Sequence, residues 1–402
     1  MNVRSIAIAG GGIAGLGCAA LLAREGARVV VHDRMDTPAP IGSGLILQPV
    51  GLAVLDEIGV GDRLRALGAP IRRLFGRVQP SGRVVLDVRY RALGGGAGEG
   101  LAVHRGALFE VLLDAAREAG VIFENACEVV GAGDGRLLLR GGAATPKFDL
   151  VVDALGVKSP LSRGHPLPPL PFGALWANLD WPAGNDAAPF DAMALEQRYE
   201  AARRMVGVLP IGSVRTGAPR QAAFFWSLRH ADLAAWEAAG LEAWKSDVMR
   251  LWPQTAPFLE QIRDREQLIF ASYCHGTLRS PMKDGIVHIG DSWHSASPQL
   301  GQGANMALLD ALALARAMAT HADLGAATGA YARARLGHIR IYQLASWLFT
   351  PAYQSDGAAL AWARDWLLAP LSRVWPAPKI LAALVAGAVG SPLAAIDAVK
   401  DG

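Results

Sequence analysis

Residues 6–34 read IAIAGGGIAGLGCAALLAREGARVVVHDR, and this stretch constrains the chain more than any other. A short apolar run at 6–9 meets glycines at Gly10, Gly12 and Gly15. An Ala- and Leu-rich stretch runs to Gly26, and a second apolar run, 29–31, delivers an acid, Asp33. The pattern predicts strand, turn, helix, strand, acid. Gly10 permits the tight turn, Gly12 lets the backbone approach a pyrophosphate, and Gly15 lets the helix pack close to the strand. The N–H groups at the helix start, around Ile13 and Ala14, face phosphate oxygens with the positive end of the dipole behind them. Asp33, followed by Arg34, is placed to accept from ribose hydroxyls. The bland alternative is a secretory signal, since Arg4 precedes an apolar segment. The glycines that break the segment, and the acid at the right distance, argue against it.

The 402 residues admit one large or two to three ordinary domains, and the 51% hydrophobic content supplies a substantial core. The 39 basic and 36 acidic residues leave a net charge of +3, which gives no reason to invoke nucleic acid. Cys18, Cys127 and Cys274 fit neither a metal cluster nor a disulfide framework, and the expected compartment is a reducing cytoplasm. No apolar run reaches the ~18–20 residues of a spanning helix. The nearest candidate, 380–389, is stopped by Gly390-Ser391-Pro392.

In chain order, a Pro/Gly loop (37–44) leads to a short strand turning into a helix (44–60) and a second helical piece (63–68). Residues 74–88 alternate around Pro80-Ser81-Gly82, a hairpin signal. The glycine-rich run 94–100 does not fit the phosphate-loop spacing and reads as a surface loop. A strand at 101–103 enters a helix (108–119) through His104-Arg105, and strands follow near 121–123, 137–139 and 148–156. At 160–171 the composition becomes proline-rich. From 174 to 278 the pattern is one of short alternating strands and then helices, with Trp176, Trp181, Trp226 and Trp236. Dinucleotide-type sequence resumes at Gly285, so the first domain reads as discontinuous. The expected division is 1–73, 101–165 and 275–325 for the nucleotide domain, 74–100 and 166–274 for an inserted substrate domain, and 326–402 for a helical C-terminal region.

The second informative stretch is residues 285–310, GIVHIGDSWHSASPQLGQGANMALLD. A strand ends at Gly290-Asp291, a loop carries Pro298, and Gly301-Gln302-Gly303 opens a helix through Asn305 and Asp310. Glycines at a helix start expose N–H groups to an anion. Together these motifs resemble the FAD-dependent aromatic hydroxylases, the para-hydroxybenzoate hydroxylase-like flavoprotein monooxygenases. The family pattern GD-x-x-H-x-x-x-P-x-x-G-x-G-x-N is met by Gly290, Asp291, His294, Pro298, Gly301, Gly303 and Asn305. The N-terminal fingerprint is met by Gly10, Gly12, Gly15 and Asp33, with Asp in place of the usual Glu, and the family's strand-to-helix arginine by Arg105.

The resemblance implies an α/β fold: a glutathione-reductase-type FAD-binding Rossmann domain with an inserted mixed β-sheet substrate domain and a helical C-terminus. It implies FAD as cofactor, with Asp33 on the adenosine ribose, Arg105 near the pyrophosphate and Asp291 on the ribityl chain. Gln48, Gly301, Gly303, Ala304 and Asn305 pass the flavin. A helix start near Gly303 would stabilise negative charge on the reduced flavin by ~0.3–2 kcal/mol. It implies NADH or NADPH as electron donor, dioxygen as co-substrate, a flavin hydroperoxide, and a small, aromatic or electron-rich substrate. Tyr199, Trp226, Tyr273 and Pro298 are the candidate substrate contacts, although aromatics in the inserted region also serve as ordinary core. No side-chain nucleophile and no metal constellation is visible, so catalysis is flavin-centred, with Pro298 and His294 nearby; His294 reads as a hydrogen-bonding group and His104 as a structural one. The apolar tail, 343–399, reads as helical packing, with a second reading as weak membrane contact.

One departure stands out. The family carries an Asp, associated with FAD and NAD(P)H binding, where this chain has Leu155; Asp153 lies two residues earlier on the same predicted strand face. A reductase or oxidase on the same scaffold, without oxygen insertion, therefore stays open, as does a non-enzymatic FAD-binding protein.

Overall fold

The strand Ser5–Ala9 lies at the middle of the molecule because every residue after Ser5 in it is apolar and shielded on both faces. It runs parallel to Arg28–His32 on one side and to Leu150–Asp153 on the other, with Ile8 opposite Val31 and Val152. Continuous apolar runs of this kind suit a parallel sheet covered on both faces. The six-stranded sheet runs in the order Met282–Lys283, Ile286–His288, Leu150–Asp153, Ser5–Ala9, Arg28–His32, Ile122–Glu124. The fold is known here from a computed structural model, which describes residues 4–37, 42–96 and 98–401. Parts of two expected loops, at 38–41 and at 97, lie outside the described residues.

Helices Ile13–Arg24, Arg105–Glu118 and Gly303–Thr320 cover one face of this sheet and share one apolar core with it. Their close approach depends on small residues. A Cβ on Gly17 would come within 3.2 Å of Leu308 Cδ2. The other face is covered by the strand pair Val129–Gly133 and Arg136–Leu139, through Val129, Leu137 and Phe148.

The second sheet has seven strands, in the order Ile269–Ala271, Phe172–Asp180, Gln221–Arg229, Arg204–Gly212, Ala194–Glu200, Arg73–Val78, Val84–Arg89. The hairpin expected around Pro80 supplies its last two strands, and only Ala194–Glu200 with Arg73–Val78 is a parallel pair. Period-two alternation divides its side chains between two faces. Phe224 and Trp226 point to one, where Trp244, Val248, Trp252 and Phe258 from the following helical segment cover them. Phe225 points to the other. A third sheet, Gly44–Leu47, Gly100–His104 and Ala69–Ile71, lies between the two large ones.

The tail spans both halves. Helix Leu324–Tyr353 packs its N-terminal part on Gly303–Thr320. Helix Ala377–Val385 inserts Ala382 and Val385 among Ile46, Ile71, Leu74 and Val88. Arg335, fully buried, fastens the first of these helices: its Nε donates to Asp310 Oδ1 at 2.8 Å, and its Nη1 lies 3.2 Å from His338 Nδ1. The opposite ring nitrogen of His338 therefore carries the proton and donates to Gly387 O at 3.0 Å. Burial, and then the Arg335 charge, push the His338 pKa down to about 3.

The consequence for stability has a definite sign. Below the ordinary histidine pKa of ~6.5 the unfolded chain takes up a proton that the folded one refuses, so stability falls by about 1.4 kcal/mol per pH unit from there down to the folded value. His338→Gln removes the titration. Urea unfolding between pH 6 and pH 4 is expected to show a slope shallower by about that amount in the variant.

Candidate functional site

A single cavity of ≈ 1780 Å³ runs from the glycine turn of the first sheet to the inner face of the second. Pockets for one small ligand are usually about 300–1,000 Å³, so this one has room for a large cofactor and a second molecule. Of the sequence-derived candidates, Gly10, Gly12, Ile13, Ala14, Asp33, Arg34, Gln48, Arg105, Asp291, His294, Pro298, Gly301, Gly303, Ala304, Tyr199 and Tyr273 all line it.

The turn is built by two glycines and left open by a third. Gly10 has φ +103°, and a Cβ there would come within 2.6 Å of Ala154 O; a Cβ on Gly15 would come within 1.9 Å of Gly10 O. Gly15 thus shapes the turn without reaching the cavity. A Cβ on Gly12 meets nothing within 4 Å, because it would project into the open space. Helix Ile13–Arg24 begins there with no side-chain cap, so its first N–H groups are unspent. Asp33 closes the turn, accepting from Gly11 N at 2.7 Å and from Met35 N at 2.9 Å, and each of its oxygens keeps a lone pair for a ligand.

The second motif forms a matching end. Helix Gly303–Thr320 also starts on the cavity without a side-chain cap, and a Cβ on Gly303 would meet nothing within 4 Å. Gly301, with φ +61°, turns the chain into it. Asn305 was expected beside the cofactor, but it is fully buried behind the wall. Its Oδ1 accepts from Gln48 N at 2.7 Å, and its Nδ2 donates to Ile46 O at 3.1 Å and Gly301 O at 3.0 Å. It spends its whole amide on fastening the Gln48 turn to the helix. Gly290 also sits behind the wall, with φ +61° and its N–H donated to Asp310 Oδ2 at 2.8 Å.

Between the two ends lie Arg105 and Asp291. Arg105 reaches into the cavity, where its side chain stays accessible; the protein crowding around it lowers its pKa, with the Asp291 charge acting the other way. Asp291 faces the cavity, and desolvation raises its pKa while His294 and Arg105 pull it down. His294 Nε2 lies 2.6 Å from Asp310 Oδ2, which makes it a wall residue held by a buried carboxylate. His104 is structural, as expected: its Nδ1 accepts from Gly106 N at 3.0 Å to cap helix Arg105–Glu118, and its Nε2 lies 2.9 Å from Asn178 Nδ2.

Asp153 does not take the place of the missing family acid. The strand ends at Asp153, so the two-residue alternation that would put it level with Leu155 stops there. Its carboxylate accepts from Leu155 N at 3.0 Å and Ser159 Oγ at 2.6 Å and meets His288 Nδ1 at 2.8 Å, fully buried. Leu155 itself lines the cavity.

The wall opposite comes from the second sheet and the tail. Trp226, expected here, points the other way, with its ring centroid 6.5 Å from that of Trp244. Its neighbour Phe225 takes the place in the wall, stacked with Trp176 at 4.7 Å between centroids. Trp176 Nε1 donates to Tyr273 Oη at 2.8 Å, and burial pushes the Tyr273 pKa up to about 12, so the phenol keeps its own proton to donate. Tyr199 already donates to Gln197 Oε1 at 2.7 Å. Sequence reasoning missed the tail residues that complete this wall, among them Phe349, Tyr353, Leu371 and Leu381. A helical segment announces its apolar face but not what it faces.

Two uncapped helix starts on one cavity, with a cation and two acids between them, define a site for an extended cofactor bearing phosphates. Comparison with known proteins agrees. Residues 4–330 match the family described as FAD binding domain, and the chain belongs to it. It is 28% identical to the 6-methylpretetramide 4-monooxygenase of Streptomyces rimosus, over 77% of this chain and 73% of that one. It is 24% identical to the aurachin C monooxygenase/isomerase of Stigmatella aurantiaca, over 92% and 94%. The fold is shared with Klebsiella pneumoniae HpxO, solved with FAD and uric acid: TM-score 0.77, 19% identity, 97% of each chain covered. The protein is an FAD-dependent monooxygenase.

The glycines yield a paired prediction. Gly12→Ala is expected to leave the melting temperature of the FAD-free protein unchanged and to weaken FAD binding at least tenfold, because the added methyl enters only open space. Gly15→Ala is expected to lower both, because its methyl collides with backbone. Thermal melts of apoprotein and fluorescence titration with FAD separate the two.

Proposed function

We propose that the protein uses NAD(P)H and dioxygen to hydroxylate a small aromatic or similarly electron-rich molecule, on a glutathione-reductase-type FAD domain in the cytoplasm. The observation that carries this is the single cavity joining the two uncapped helix starts to an aromatic wall. The residues fit the cofactor: the N–H groups after Gly12 would take the pyrophosphate with Arg105, Asp33 the adenosine ribose beside Arg34, and Asp291 the ribityl hydroxyls. Pro298, Gly301 and the free N–H groups at Gly303 and Ala304 would border the flavin ring, beside Gln48.

Bound FAD supplies the electron transfer and the activation of dioxygen. The chain's own residues bind, orient and exclude water. The helix start at Gly303 would favour negative charge on a group bound beside it. Trp176, Phe225 and Leu209 keep the space dry, which protects reactive intermediates from water. The Tyr273 hydroxyl can donate to an oxygen of the substrate, whereas Tyr199, fully buried with its hydroxyl engaged, backs the wall.

Oxygen-18 labelling tests the reading. The product formed under labelled dioxygen is expected to carry one heavy atom. Unlabelled product would sink the hydroxylation.

We also assign the tail a weak contact with a membrane surface. Trp347, Trp362, Trp366 and Trp375 are exposed on it, with the Arg83 guanidinium over the Trp366 ring at 3.4 Å. Amphipathic rings with basic neighbours suit a lipid interface. No helix among the described residues is long and apolar enough to cross a membrane. Flotation with anionic vesicles is expected to carry a fraction of the protein, and Trp375→Ser with Trp366→Ser to remove most of it.

A further inference from the structure

Among the described residues, the substrate end of the cavity lacks an unspent positive charge. Arg364, the cation that reaches it, is buried, engaged at all three nitrogens and paired with an acid: it donates to Ala352 O and Ala201 O, each at 3.1 Å, and to Asp365 Oδ1 at 2.7 Å. Asp87 is likewise spent, held by Arg73 at 2.7 and 2.9 Å and by Arg89 at 3.0 Å. The remaining charge on this side, among the described residues, is Glu266, exposed at the sheet edge, which repels an anion. Of the other cationic liners, Arg34 and Lys158 follow strands of the first sheet, and Arg105 opens helix Arg105–Glu118. A carboxylate placed between the second sheet and the tail would lose its hydration with no cation in return, which is costly.

The surface offered instead is apolar and long. It runs from Phe225 and Leu209 on the sheet to Phe349 and Leu381 on the tail. It then reaches Leu348, Leu368, Leu371 and Ile380, which line the cavity and keep more than half of their surface accessible. Scattered exposed apolar residues are ordinary, but several that line one cavity mark a binding surface.

We propose that the substrate is an uncharged, elongated lipophilic aromatic, and that it passes between the tail helices at Leu368, Leu371 and Ile380 with its apolar extension lodged along this passage. The proposal rests on the reading of the cavity as the substrate site of an FAD enzyme. It selects against carboxylate-bearing aromatics of the same ring size. The polar end of the substrate lies toward Tyr273, and the extension trails toward the tail.

The test uses the FAD-loaded protein and a series of 4-alkylphenols from methyl to heptyl, beside 4-heptylbenzoate and 4-hydroxybenzoate. Binding is read by quenching of tryptophan fluorescence, since Trp176 borders the cavity. Each added methylene is expected to tighten binding about fourfold, the equivalent of ~0.8 kcal/mol per buried CH₂. 4-Heptylbenzoate is expected to bind at least tenfold more weakly than 4-heptylphenol. Leu371→Glu, at an exposed position where folding is little at risk, is expected to raise the Kd of 4-heptylphenol more than that of 4-methylphenol; Ile380→Glu repeats the test on a second helix. A Kd independent of chain length, a preference for either carboxylate, or equal effects of both substitutions on long and short ligands would overturn the proposal. Unlabelled product under oxygen-18, with the chain-length dependence intact, would remove the monooxygenase reading and leave the substrate class standing.

Discussion

The carboxylate of Asp310 holds the site together. Fully buried in helix Gly303–Thr320, it accepts from Gly290 N, meets His294 Nε2 and accepts from Arg335 Nε. One side chain thereby joins the loop that carries Asp291, the helix whose start faces the cavity, and the tail. Burial alone would push its proton affinity up, but His294 and Arg335 together bring its pKa below the usual carboxylate range. A buried ion of this kind is tolerable only with every partner present, and removing one partner typically costs 3–5 kcal/mol. Nothing in its position suggests catalysis. It fixes the positions of groups that face the cavity.

A second buried carboxylate does the same for the neighbouring wall. Asp153 binds Leu155 N, Ser159 Oγ and His288, so the loop after the strand is held firmly although its cavity-facing residue is a leucine. The replacement of the family acid therefore changes what the loop offers to a ligand while the loop stays anchored. The two carboxylates show a common division of labour: acids behind the wall set the backbone, and acids at the wall, Asp33 and Asp291, are left with capacity for a ligand.

The cofactor end of the site was legible in the sequence because its requirements are local. Gly10, Gly12 and Gly15 act within one turn, and Asp33 follows at the distance one helix and one strand impose. The same holds for the run from Gly290 to Ala304. Asn305 marks the limit of such reading. It lies at the motif's spacing, yet its amide fastens Gln48 and Gly301 and does not reach the cavity. Spacing identifies a residue as part of the motif without saying which side of the wall it occupies.

The substrate end shows why the rest was not legible. Phe225 and Trp226 are adjacent aromatics on one strand, and alternation guarantees that they face opposite ways without saying which faces the cavity. That depended on where helix Leu241–Leu251 docked, later in the chain. Likewise the sequence showed an apolar, tryptophan-rich tail, but only the tertiary structure made its helices both a wall of the cavity and an exposed face. By itself the sequence determined the strand–turn–helix units and the acids at their ends, because backbone sterics and helix dipoles act over a few residues. The tertiary structure decided which buried acids became anchors, which aromatics formed the wall and where the cavity met the outside, because burial and pairing depend on groups that meet only after the chain has folded.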